Sequence, residues 1–233
     1  MKLWLDAADA TTFTFSSGSN VSGWRDKSGL SNNGTQLDTG LQPSYNSAST
    51  FVKFQRLTLN TGRYLSLPNN TLAIQNQPFS YFILFRPPST LVGATQSMLV
   101  NDDNPRFSYG INRDSYVGME GFSEPNLFAS TIISFTTINF SELLYNGTTM
   151  FTATNFSTTE SKVFGNRVQG GTLNRLGGGT GGYGYLEGSI SEVLVYSTML
   201  TTPHTQQIEG YLAWKWGIQN YLPSSHPYRE VRP

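Results

Sequence analysis

TTPHTQQIEGYLAWKWGIQNYLPSSHPYR, residues 201–229, holds the one convincing helix in this sequence. Thr202 is a good N-cap, and Pro203 suits the first helical position, where its missing N–H costs nothing. Ile208, Tyr211, Leu212 and Trp216 recur at helical spacing and make one apolar face. The spacing predicts a helix over 203–216. Gly217 stops it, and Pro223 and Pro227 keep the tail of 217–233 extended. Some two hundred preceding residues read as strand and turn, so this lone amphipathic helix must dock on a sheet. Lys215 falls at the centre of its apolar face. An unpaired buried ammonium is very costly, so its head either snorkels to the edge or reaches a carboxylate. Asp6, Asp26 and Glu192 are the candidates.

Working back along the chain, short apolar or alternating runs are separated by Gly/Asn/Ser/Pro clusters, the pattern of a β-sandwich. Phe79, Tyr81, Ile83 and Phe85 share one strand face, with Phe82 and Leu84 on the other. A strand apolar on both faces lies centrally, between two layers or under the helix. Asn146-Gly147, between two strand-like runs, predicts a two-residue type I′ hairpin. No repeat or composition shift marks a boundary, so residues 1–233 are expected to form a single domain.

Charged residues make up 13% of the 233, and the formal net charge is zero. Ser, Thr, Asn, Gln and Gly cover such a surface, and no basic field exists to attract nucleic acid or anionic lipid. The chain has no cysteine, which excludes disulfides and thiolate metal sites. No apolar run approaches the roughly 18 residues of a membrane span. The first strand is expected from about Lys2 with no leader, which fits an excised domain or a protein delivered without secretion. N-x-S/T sequons begin at Asn20, Asn33, Asn69, Asn139, Asn146 and Asn155. They matter only on a eukaryotic secretory route.

The run IEGYLAWKWG…LPSSHPY resembles the closing segment of LamG-like jelly-roll domains of the concanavalin A-like lectin/glucanase superfamily. Such domains occur in bacterial surface proteins and large DNA viruses. LWLDAADATTF (3–13) and WRDKSG (24–29) resemble the family's entry strand and first turn, and GYGYLEGSISEVLVYSTML (182–200) its last long strand. Residues 70–170 carry no matching motif. The resemblance implies an all-β, two-layer antiparallel jelly roll closed by one C-terminal helix, with Trp4 and Trp24 as buried framework residues.

Several segments invite chemistry. Gly177-Gly178-Gly179-Thr180-Gly181-Gly182 formally fits G-x-G-x-x-G, but it leads into a strand rather than a helix, which removes the phosphate-binding mechanism. Glu187 and Glu192 suggest the carboxylate pair of the family's glucanases. Their separation of five points them to opposite faces of a regular strand, and the central Asp is missing. His204 and His226 have no G-x-S-x-G partner, so no catalytic triad is expected. Asn101, Asp102, Asp103 and Asn104 form the densest oxygen-ligand cluster, and Asp102 and Asp103 are candidate Ca²⁺ ligands. An ordinary Asx-rich turn is the simpler explanation of the same residues. Tyr45, Tyr116, Tyr183 and Tyr185, in or near loops, are candidate ligand-facing aromatics.

Together these readings point to a non-enzymatic, lectin-like recognition module that binds glycan on a virion or cell surface. The expected ligand contacts are Asn101, Asp102, Asp103, Asn104, Tyr116, Tyr183 and Tyr185. No organic cofactor is expected, and any oligomer would come through a parent assembly. A structural or protein-interaction module (capsid-decorating, fibre or spacer) is the alternative, and a diverged glycoside hydrolase the third reading.

Overall fold

A computed structural model describes residues 1–58, 61–72, 77–89, 95–101, 107–121, 126–164, 173–179 and 184–233. In chain order the strands are β1 (Leu3–Asp6), β2 (Phe13–Ser17), β3 (Asn20–Trp24), β4 (Gly34–Thr35), β5 (Ser44–Asn46), β6 (Phe51–Phe54), β7 (Leu65–Leu67), β8 (Phe79–Arg86) and β9 (Gln96–Asn101). They continue with β10 (Phe107–Ile111), β11 (Tyr116–Gly121), β12 (Leu127–Ile132), β13 (Asn139–Tyr145), β14 (Thr149–Thr154), β15 (Glu160–Val163), β16 (Asn174–Leu176), β17 (Gly184–Tyr185) and β18 (Gly188–Tyr196). One helix, α1 (Thr202–Lys215), follows.

The strands form two antiparallel layers. One runs β15–β14–β13–β8–β18, and the far edge of β18 is shared by β6 and β1. The other runs β12–β11–β10–β9–β16–β7–β4–β3–β2. β5 bridges β3 to β6 and joins the layers at one side. Only β17 pairs in parallel among the described strands, with β9.

β8 fulfils both halves of its expectation. Phe79, Tyr81, Ile83 and Phe85 enter the inter-layer core with Tyr109, Ile111, Val117 and Met119 of the opposite layer. Phe82 and Leu84 face the other way, under Leu212 and Ala213 of the helix. Alternation sends side chains to both faces, and here both faces are covered. Inside the core the Tyr109 hydroxyl is hydrogen-bonded to that of Ser141, linking the layers.

The helix begins one residue earlier than its sequence suggests. Thr201 is the N-cap, in extended conformation, and its carbonyl accepts the first helical N–H from Thr205 at 2.9 Å. Its hydroxyl pairs with His204 Nδ1 at 3.0 Å instead of capping a backbone N–H. Pro203 therefore sits one position further in, where its missing N–H is still one of the orphans. Gly217 adopts φ +70°, and Ile218 N–H reaches back to the Ala213 carbonyl at 2.8 Å, a Schellman stop. Ile208, Tyr211, Leu212 and Trp216 do pack on the sandwich.

The tail is not extended. Gln219–Tyr221 forms a 3-10 turn, Leu222 is buried, and the chain doubles back over the outer side of α1 as a strap. Trp214 Nε1 donates to the Tyr228 carbonyl at 2.8 Å, and Arg232 lies over the Trp214 ring at 5.3 Å. Gly210 makes the close approach of the Tyr228 side chain feasible, since a Cβ there would lie 2.6 Å from Tyr228 Cβ. The prolines turn the chain rather than extend it, because backbone bonds from His226 to Pro223 and from Arg229 to His226 close two successive turns.

The hairpin at Asn146-Gly147 exists, joining β13 to β14, but Tyr145 pairs with Met150 and the loop is longer than two residues. Gly147 alone takes a positive φ there, +97°. Asn146 Oδ1 instead accepts the N–H groups of Thr148 and Thr149 at 2.9 and 2.8 Å. That side-chain turn removes the need for a second left-handed residue.

Candidate functional site

The acidic residues divide into scaffolding and surface. Glu192 projects from β18 toward the helix. Its Oε1 accepts Trp4 Nε1 at 2.8 Å and the Tyr211 hydroxyl at 2.9 Å. Its Oε2 accepts Trp216 Nε1 at 2.6 Å and Lys215 Nζ at 2.8 Å. Lys215 also holds Asp6 Oδ1 at 2.7 Å, while Lys27 holds Asp6 Oδ2 at 2.9 Å and Asp9 at 3.0 Å. Burial alone would raise the Asp6 carboxyl. The hydrogen bonds from Lys215 and Lys27 overcome it and hold that carboxyl below the usual range. Burial, then the Glu192 charge, pushes the Tyr211 hydroxyl well above its ordinary value.

Lys215 therefore takes the carboxylate option, with two of the three candidates. The third, Asp26, has another task. It accepts the N–H groups of Trp4, Ser28 and Asn32 at 2.8, 2.8 and 2.9 Å, fixing the WRDKSG turn against β1. Glu187 lies apart from Glu192, its Oε2 accepting the Arg56 N–H at 2.9 Å. The two glutamates do not converge, and every oxygen of Glu192 is occupied by donors, so this pair offers neither nucleophile nor acid.

An open cleft of about 330 Å³ lies on the opposite layer, lined by Thr95, Asn112, Arg113, Asp114, Glu120, Asn126 and Phe128. The β10–β11 hairpin builds one wall. Asn112 Oδ1 accepts the N–H groups of Asp114 and Tyr116 at 3.0 and 2.9 Å, and Ser115 closes the turn with φ +70°. This Asx-turn puts Arg113 and Asp114 at the tip, both exposed. Tyr109, Ile111, Val117 and Met119 point into the core, so Gly110, Gly118 and Glu120 face outward. Gly110 and Gly118 are cross-strand partners. A Cβ on Gly118 would lie 2.0 Å from the Leu127 carbonyl oxygen, so glycine allows β12 to approach and deliver Asn126 and Phe128. The Glu120 carboxylate accepts the Thr95 hydroxyl, which orients it. Among the described residues Arg113 has no ion-pair partner.

The expected ligand residues are distributed differently. Asn101 ends β9 fully buried, in register with Phe107 and Asn174. Asp102, Asp103, Asn104 and Tyr183 lie outside the described residues. Tyr185 is buried, its ring 6.1 Å from that of Tyr64, and belongs to the packing. Tyr116 is half-buried and follows the cleft's turn directly. Tyr45 donates its hydroxyl to the Ala7 carbonyl at 3.0 Å and stacks near Phe13. Trp24 is buried as expected, and Trp4 half-buried. His226 binds Glu209 at 3.1 Å, a tail-fixing role. Asn139 is fully buried with both amide ends engaged, so its sequon is closed in the folded chain. Sequence reasoning missed Arg113, Asp114, Glu120, Asn126 and Phe128. The turn residues Asn112, Arg113, Asp114 and Ser115 were the available signal, but only the β9–β12 register adds Thr95 and Phe128.

No protein-family model matches the sequence, and no curated protein matches it. Solved structures share its fold. The binding domain of Paraclostridial Mosquitocidal Protein 1 superposes with a TM-score of 0.59 at 15% identity, over 84% of this chain and 51% of that one. Trypanosoma rangeli sialidase in complex with sialic acid gives 0.58 at 12% identity, over 86% of this chain and 31% of that one. A Ruminococcus gnavus IT-sialidase CBM40 bound to α2,3 sialyllactose gives 0.46 at 17% identity, over 60% and 93%, too distant in shape to carry an argument. The chain thus spans about half of the mosquitocidal domain structure and under a third of the sialidase. The likeness is one of fold alone; this chain's own fold is an all-β sandwich with one C-terminal helix.

Proposed function

We propose that this chain is a non-enzymatic glycan-binding module, of LamG-like type, working on a virion or cell surface. The observation that carries the reading is the cleft, whose lining combines Arg113, Asn112, Asn126, Asp114 and Glu120 with Phe128. Carboxylates accept from neighbouring sugar hydroxyls, arginine and amides donate, and an aromatic face covers the C–H side of a pyranose. The sandwich shared with a mosquitocidal binding domain and part of a sialidase supports the choice of scaffold. A solvated sugar exchanges water hydrogen bonds for protein ones at little net gain, so a single site should bind at roughly 0.1–1 mM. Attachment then relies on many copies.

A glycan array tests this. Specific signals are expected that fall at least tenfold in Arg113→Ala and Glu120→Gln with melting unchanged. An empty array, or signals indifferent to both changes, overturns the assignment. Calcium at Asp102 and Asp103 is a separate proposal, read by running the array with Ca²⁺ and with chelator. A structural or protein-interaction role is the second reading, favoured by Ile132 and Val163, exposed on the neighbouring strands β12 and β15. It predicts an empty array together with self-association or partner capture by that edge.

A further inference from the structure

A second cavity, of about 330 Å³, opens between the β12–β13 connection, the end of β14 and the strap, lined by Ser134, Thr137, Asn155 and Tyr221. Its chemistry differs from the cleft's. No lining residue carries a charge. Three offer hydroxyl or amide groups, and Tyr221 presents a ring that is 45% exposed. The volume sits at the lower end of small-molecule sites, roughly 300–1,000 Å³.

The walls are held from behind. The buried amide of Asn139 accepts the Ser134 N–H at 2.8 Å and donates to the Ser134 and Thr137 carbonyls at 2.7 and 3.2 Å. Its Oδ1 also accepts Asn155 Nδ2 at 2.9 Å, and Asn155 Oδ1 accepts the Phe140 N–H at 2.9 Å. Asn155 and Phe156 both sit at positive φ, +52° and +57°, a costly backbone for such residues. Phe156 stacks on Phe140 with centroids 4.3 Å apart, which holds the strained pair in place. Unmet polar groups remain at the cavity. Thr137 Oγ1, in the lining, is buried without a hydrogen-bond partner. Asn155 Nδ2 keeps a second proton. Buried polar atoms without partners carry a desolvation cost that a hydroxylated ligand removes.

We propose that this cavity is a second carbohydrate subsite, selective for an uncharged pyranose stacked on Tyr221. An anionic sugar finds no cation in the lining, and an apolar ligand would leave the Thr137 oxygen and the Asn155 Nδ2 proton unmet. Hydroxyl groups both donate and accept, which is what the mixed lining asks for. Phe128 of the charged cleft lies on β12 and Ser134 two residues past its end, so their Cα atoms are at most about 22 Å apart.

The test is an NMR titration of the ¹⁵N-labelled protein with methyl β-D-glucopyranoside, methyl β-D-galactopyranoside, methyl α-D-mannopyranoside and methyl N-acetyl-β-D-glucosaminide, each to tens of millimolar. At least one is expected to shift the amides of residues 134–139, Asn155 and Tyr221. Tyr221→Ala, at an exposed position, and Thr137→Val should each weaken that response at least fivefold with melting unchanged. Arg113→Ala should leave it intact. No shift in those amides with any of the four probes overturns the proposal, as does a response that survives both substitutions. Failure of the charged cleft reads out separately, as silent amides at residues 112–120 and array signals indifferent to Arg113→Ala.

Discussion

Glu142 is the residue whose environment departs furthest from what its type prefers. It sits on β13 beneath the helix, buried, with Oε2 unpartnered. Burial, then the Glu209 charge, raises its carboxyl well above the ordinary range, and burial raises that of Glu209 too. His226 faces Glu209 through Nε2 at 3.1 Å, and its Nδ1 lies 3.2 Å from the Tyr228 N–H. A carboxyl raised in the folded state contributes stability that is complete below its unfolded value. That stability is lost as pH rises through the folded value. Asp6 has the opposite sign: its carboxyl is lowered, and its contribution disappears as pH falls through the folded value. Stability should therefore decline on both sides of an optimum. Glu142→Gln should flatten the alkaline limb and raise Tm at neutral pH by a few degrees, at roughly 2–4 °C per kcal/mol for a chain of this size. Thermal melts at intervals across the pH range decide it, and an unchanged alkaline slope would show that Glu142 is not the group responsible. At the hub formed by Lys215, Asp6 and Glu192, Lys215→Met leaves Glu192 without a counter-ion and Asp6 with Lys27 alone, and should cost about 3–5 kcal/mol in urea unfolding. A loss under about 1 kcal/mol would mean the hub is solvated rather than dry.

At the level of elements, α1 is fixed from two sides. Leu212, Ala213, Ile218 and Leu222 cover Phe82, Leu84 and Leu194, while Tyr228 and Arg232 of the strap close over Gly210 and Trp214. Four or more large side chains are worth several kcal/mol at roughly 25 cal/mol per Å², so truncation after Leu200 should abolish cooperative unfolding. A truncated chain that melts like the full one refutes the docking. Gly210→Ala tests the strap alone. Helix propensity favours alanine by about 1 kcal/mol, yet its Cβ would collide with Tyr228. We expect net destabilisation in chemical unfolding, largely relieved when Tyr228→Ala is added, a non-additive pair. Additive effects would show that the two residues do not touch in solution.

Over the whole molecule, the recognisable motifs and the proposed binding cleft lie in different parts of the chain. LWLDAAD, WRDKSG and YLAWKWG supply Trp4, Asp6, Asp26, Lys27, Tyr211, Lys215 and Trp216, and all of these converge on the hub or on the turn beside it. Those motifs encode scaffold, and the cleft rises from the stretch between 70 and 170 where no motif was visible. The sequence by itself determined the all-β class, the double-sided burial of β8, the closing helix with its Gly217 stop, and the hairpin at Asn146-Gly147. Each depends on periodicity or turn chemistry within a dozen residues, which the local chain expresses whatever surrounds it. It also narrowed Lys215 to a head snorkelled to the edge or paired with Asp6, Asp26 or Glu192, because the cost of a bare buried charge is independent of the fold. Only the tertiary structure chose Asp6 and Glu192, folded the tail into a strap, moved Asn101 and Tyr185 inside, and gathered Thr95, Arg113, Glu120 and Phe128 around one cleft. These outcomes rest on partners as distant as Trp4 and Glu192, separated by 188 positions. Sheet register sets which distant side chains meet, and a shift of one residue would turn each strand's side chains to the other face.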